Sequence, residues 1–146
     1  MGVLPGAGAT ADVHADELPL RPELASVSRA RHWAAARCEQ AAGDVGPDRL
    51  ADVVRVVELV VSELVANAVE HGGPPVSIGV RRHGDVLRVR VADGNPTPPV
   101  PREQGAHATS GRGVALVAHL SSGWGVEPGT GGKVVWCDVA LHPRAA

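Results

Sequence analysis

From Pro47 to about His71 the apolar residues return every three or four positions, and from Val76 onward they return every second one. Leu50, Val53, Val54, Val57, Val61, Leu64 and Ala68 carry the first pattern, which is that of one buried helix face. Val76, Ile78 and Val80, then Val89, Val91 and Asp93, carry the second, which is that of strands with one face inward. Gly72-Gly73-Pro74-Pro75 separates them, and no helix continues through it. A long amphipathic helix that hands over at once to alternating strands must lay that helix on the sheet the strands build.

The rest of the chain fits the same plan. Glu17-Leu18-Pro19-Leu20 reads as a short edge strand, because Pro19 has no N–H to give a central ladder. Pro22 to Ala42 reads as a first helix, with Leu24, Val27, Ala30 and Ala34 on its buried side, Arg29, Arg31, Arg37 and Glu39 outside, and Gly43 as its stop. Gly46-Pro47-Asp48 opens the second helix, Pro47 being suited to a first turn. Arg82-His83-Gly84-Asp85 reads as a hairpin turn. Asn95 to Ser110, with four prolines, is a long loop, and loops of that length usually serve function. Gly111 to Ser121 is helical in pattern, with Val114, Leu116, Val117 and Leu120 apolar. A last hairpin follows, its strands opening at Gly123 and Lys133 and its turn at Glu127 to Gly132. The order βααββαββ predicts an α+β two-layer sandwich, a mostly antiparallel sheet covered on one face by helices.

With 146 residues the chain is long enough for one domain that buries roughly 68–70% of its unfolded surface. Residues 1–15 are Gly- and Ala-rich and read as a flexible terminal segment, leaving 16–142 as the domain. There is no Phe or Tyr, so Val, Ala and Leu must build the core around Trp33, Trp124 and Trp136. A net charge of -2 with no basic block argues against direct nucleic-acid binding. No apolar run approaches the ~20 residues of a membrane span. Cys38 and Cys137 stand far apart, and with no signal sequence they point to a reducing, cytoplasmic setting.

Three short stretches exceed what folding needs. In Ser62-Glu63-Leu64-Val65-Ala66-Asn67-Ala68-Val69-Glu70-His71-Gly72, the residues Glu63, Asn67 and His71 recur at i, i+4 and share one helix face. Asn is a mediocre helix former, so stability does not ask for it there. Taken singly these residues read as a solvated face. Taken together, an amide oxygen that can ligate Mg²⁺ sits one turn from a carboxylate that can take a hydroxyl proton. In Val91-Ala92-Asp93-Gly94-Asn95-Pro96 an aspartate ends a strand. It is either a turn cap or an acceptor for the exocyclic amine of a base. In Ser110-Gly111-Arg112-Gly113-Val114, a Gly-x-Gly opens a helix, whose backbone N–H groups suit an anion. Other phosphate motifs fail. Gly129-Thr130-Gly131-Gly132-Lys133-Val134 has Glu127 where a P-loop has its first Gly, and Val134 where it has Ser or Thr. Leu116 stands where a dinucleotide fingerprint has its third Gly.

In this order, and with Gly123-Trp124-Gly125-Val126 to Trp136 behind them, the stretches resemble the histidine-kinase-type (GHKL) ATPase domain. The branch they are most similar to is that of the bacterial anti-sigma regulatory factors that are serine/threonine kinases. The resemblance covers about residues 17 to 141. It implies a Bergerat-type pocket for ATP and Mg²⁺ between helices and sheet. Glu63 matches the family's catalytic carboxylate, Asn67 its metal ligand, and Asp93 the aspartate that recognises the adenine amino group. Gly111, Arg112 and Gly113 match the segment around the phosphates, the proline-rich loop before them matches the lid, and His71 is expected to line the pocket. Asp93-Gly94-Asn95-Pro96 departs from the superfamily's Asp-x-Gly-x-Gly, and Thr130 and Val134 flank the place where its last hairpin favours a Thr.

The resemblance implies a sigma factor and an anti-anti-sigma antagonist protein as partners, and a homodimer. Sensor kinases add a dimerisation helix pair, and topoisomerase and chaperone ATPases add a transducer domain; the chain is expected to be free-standing, without either. The expected activity is Mg-ATP-dependent phosphorylation of a serine or threonine of the antagonist. The alternative is a protein-binding switch, with or without nucleotide, that transfers no phosphoryl group.

Overall fold

The computed structural model describes residues 17–98, 117 and 120–142. The first segment, most of the proline-rich loop and Gly111, Arg112 and Gly113 lie outside the described residues. Five strands form one antiparallel sheet in the order β1-β2-β3-β5-β4: β1 Glu17–Leu20, β2 Val76–His83, β3 Val86–Asp93, β4 Gly123–Gly129 and β5 Gly132–Ala140. Two helices, α1 Ala25–Ala41 and α2 Pro47–Asn67, pack on each other and on one face of that sheet. The fold is the expected α+β sandwich.

The core lies between the layers. Val53, Val57, Val60, Val61, Leu64 and Val65 of α2 are buried against Ile78, Val80, Leu87, Val89, Val91, Cys137 and Val139 of the sheet. Nearly every one is β-branched or small, so the core is filled by many close-packed short side chains rather than by aromatic plates. The Arg49 guanidinium pins the start of α2 to the end of β5, donating to the carbonyls of Leu141 at 2.8 Å and Ala140 at 2.9 Å. On the opposite face of the sheet, Arg88 lies 4.2 Å above the Trp136 ring and makes a two-pronged ion pair with Asp138 across β3 and β5.

Edges and turns explain where the prolines and glycines stand. Both edge strands contain a proline, Pro19 in β1 and Pro128 in β4, and each has a single ladder partner. The last hairpin turn is therefore shorter than expected. Glu127 to Gly129 belong to β4, and only Thr130-Gly131 turn, with Gly131 at φ 70. The other hairpin also turns on two residues, Gly84-Asp85, with Gly84 at φ 60. A positive φ is what two-residue hairpin turns demand, and glycine adopts it without strain.

Two expectations are corrected at the helices. Leu24 is 61% exposed rather than buried, because the helix starts after it and Ser26, Ala30, Trp33, Ala34 and Cys38 form the inner stripe. On the outer side, Arg31 reaches Ser62 of α2 and Arg37 donates to the Val80 carbonyl, so only part of that face is open to solvent. The second helix also does not run to His71 as regular α-helix. It ends at Asn67 and widens into one π-helical turn, Ala68–Gly72, closed by the Gly73 N–H on the Ala68 carbonyl at 3.0 Å. Among the described residues, no helix is long and apolar enough to cross a membrane.

Candidate functional site

The widened turn at the end of α2 and the end of β3 are built into each other. Gly94 N–H donates to the Gly73 carbonyl at 2.8 Å, and the Asn95 side-chain amide donates to the His71 carbonyl at 2.9 Å. A Cβ on Gly94 would overlap the Pro74 carbonyl, and one on Gly72 would overlap the Asp93 carboxylate. Glycine at both places is what lets the two backbones meet. Single π-helical turns are frequent at functional sites.

Asp93 is held at this junction. Its side chain is 3% exposed. Oδ1 accepts two hydrogen bonds, from the Asn95 backbone N–H at 2.8 Å and from the Lys133 ammonium at 3.0 Å. Lys133 Nζ also donates to the Asn95 carbonyl at 2.9 Å. The loop continues as a second small turn, with the Thr97 N–H on the Asn95 side-chain oxygen at 3.0 Å. Asp93 thus caps a turn while its carboxylate is held inside the fold.

Glu63 and Asn67 stand one turn apart on the last part of α2 and are half-buried. Neither makes a side-chain hydrogen bond to another described residue. Burial raises the pKa of Glu63, and the Glu70 carboxylate nearby raises it further. Desolvation penalises the charged form and the like charge adds to it. His71 departs from this stripe. The π turn carries it out of the i, i+4 register, and its side chain is 59% exposed beside Glu70, at 3.8 Å. What His71 gives the junction is its carbonyl, through Asn95.

Lys133 was missed from the sequence, where it reads only as part of a failed P-loop. The signal was there: it is the single lysine among 14 basic residues. The structure buries it to 6% exposure.

Compared with known proteins, residues 20–138 match the family described as the histidine kinase-like ATPase domain. The chain belongs to that family. Among solved structures, this histidine kinase-like ATPase domain is similar to the histidine kinase domain from the Erythrobacter litoralis EL346 blue-light activated histidine kinase. The identity is 26% and the TM-score 0.46, over 61% of this chain and 45% of that one. The chain therefore spans less than half the length of that relative. No curated protein matches. Membership of an ATPase domain family makes ATP the ligand to test against the site.

The residues present fit such a ligand. A fixed, acceptor-only carboxylate suits the amino group of a purine. Among the described residues no three His, Cys, Asp or Glu side chains converge on a metal position. A lone amide oxygen such as that of Asn67 suits Mg²⁺, which keeps waters and takes most of its other ligands from phosphate.

Proposed function

We propose that this domain binds Mg-ATP and acts as an anti-sigma regulatory factor, phosphorylating a serine or threonine of a small antagonist protein. The observation that carries the reading is the clamped Asp93 carboxylate, built into the end of the helix that bears Glu63 and Asn67. Bound Mg-ATP supplies the phosphoryl group, and its metal offsets the phosphate charge.

The chain's own residues then divide the work. Asp93 accepts a hydrogen bond from the base amino group, which orients the nucleotide. Asn67 offers its amide oxygen to the metal without adding charge. Glu63 takes the proton of the attacking hydroxyl, and burial and the nearby Glu70 raise its proton affinity above that of an ordinary carboxylate. Gly111, Arg112 and Gly113 are assigned to the phosphates and the proline-rich loop to the lid, by resemblance. His71 keeps a place at the pocket margin through its backbone. The partners are a sigma factor, held when the antagonist is not engaged, and the antagonist itself. The working form is a cytoplasmic homodimer.

The test is incubation with labelled ATP, Mg²⁺ and candidate antagonist proteins. Label on an antagonist serine or threonine, lost in Glu63→Ala, is the expected result. Nucleotide binding without transfer would replace the kinase by a binding switch, in which ATP alters partner affinity. No binding at all would leave an interaction module that works without nucleotide.

A further inference from the structure

We infer that Lys133 is the positioning residue that gives Asp93 its selectivity for an amino-bearing base. The inference rests on the ATP reading above and deepens it.

Its basis is how the two oxygens of one carboxylate are treated. Both described hydrogen bonds to Asp93 fall on Oδ1, from Asn95 N–H and from Lys133 Nζ. Oδ2 lies against Gly72, where a Cβ would come within 2.5 Å of it. With Oδ1 saturated, Oδ2 is the oxygen left to accept from a ligand. A carboxylate held by one donor can turn about its terminal torsion, which is soft. Two donors from different elements, the loop after β3 and the start of β5, prevent that.

The surroundings are made to this measure. Gly132, next to Lys133, touches the Asp93 backbone so closely that a Cβ would overlap the Asp93 carbonyl. Lys133 bonds the Asn95 carbonyl as well, so one ammonium fixes both the carboxylate and the loop that follows it. A compact ammonium serves both oxygens as a single point of charge.

The test is calorimetric titration of the full chain with Mg-ATP and with Mg-ITP, which carries an exocyclic carbonyl oxygen in place of the amino group. The proteins are the parent, Lys133→Met, Asp93→Asn and the double variant. The double variant leaves no buried charge unpaired, so it covers the case in which Lys133→Met does not fold. The parent is expected to prefer ATP by roughly tenfold or more. Lys133→Met should bring that preference to about unity, and adding Lys133→Met to Asp93→Asn should change the ratio no further, because the lysine acts through the aspartate. An undiminished ATP preference in Lys133→Met overturns the inference and leaves the ATP reading standing. So does an equal loss of preference from Lys133→Met in both backgrounds. A parent that binds neither nucleotide overturns both.

Discussion

Gly132 and Asp93 are in backbone contact where β5 begins beside the end of β3: a Cβ on Gly132 would overlap the Asp93 carbonyl oxygen and stand 2.8 Å from its carbonyl carbon. The obstacle is backbone, which cannot rotate away. Gly132→Ala is therefore expected to lower stability by about 1–3 kcal/mol, the usual range for overpacking. Urea unfolding measures it. A midpoint equal to the parent's would show that the strand ends can separate without cost.

Glu63→Gln should make the protein slightly more stable at neutral pH while removing phosphoryl transfer. Burial and Glu70 raise the Glu63 pKa, so the folded state holds this proton more tightly than the unfolded chain does. Stability therefore falls as pH rises from the ordinary carboxylate value through the raised one, and the ionised group costs stability above that window. The group is only half-buried and solvent screens it, so the gain for Gln is about a few tenths of a kcal/mol. Thermal melts of both proteins at about pH 7.5 and about pH 3.5 should differ at the first and converge at the second. A Gln variant less stable than the parent at neutral pH would contradict the cost assigned to the ionised Glu63 carboxylate.

Asn67→Ala is expected to keep the fold and lose magnesium-dependent nucleotide binding. Among the described residues its side chain has no hydrogen-bond partner to orphan, and Ala is the better helix former by several tenths of a kcal/mol. Melting temperature should hold or rise. Normal Mg-ATP binding by this variant would remove Asn67 from the metal.

The two cysteines are expected to be inert in the native protein. Burial pushes the thiols of Cys38 and Cys137 up to about 12, so almost no thiolate exists at pH 8. Iodoacetamide should leave both unmodified until denaturant is added. Labelling of either native thiol at the rate of a free cysteine would show that the core opens around it.

Local pattern by itself determined the elements and their layering. The three-to-four spacing from Leu50 to Ala68 gave one buried stripe, because a helix turns every 3.6 residues whatever it packs on. Pro19 marked an edge strand, since a missing N–H is a local fact; Pro128 is the same fact, hidden behind three nearby glycines. The motif residues Glu63, Asn67 and Asp93 could be named because their chemistry is idle in a plain helix face or strand end. Tertiary structure alone decided what surrounds each of them. The π turn that displaces His71 arises where α2 closes on β3, and no local propensity marks it. The Asp93–Lys133 pair depends on the register of β3 with β5, in which those two residues stand opposite each other, 40 positions apart in sequence. Leu24 illustrates the converse: its apolar side chain favoured burial, but the helix began at Ala25 rather than Pro22 and left Leu24 outside its inner stripe. Periodicity is written in the sequence a few residues at a time, whereas register and close approach exist only once distant strands have found each other.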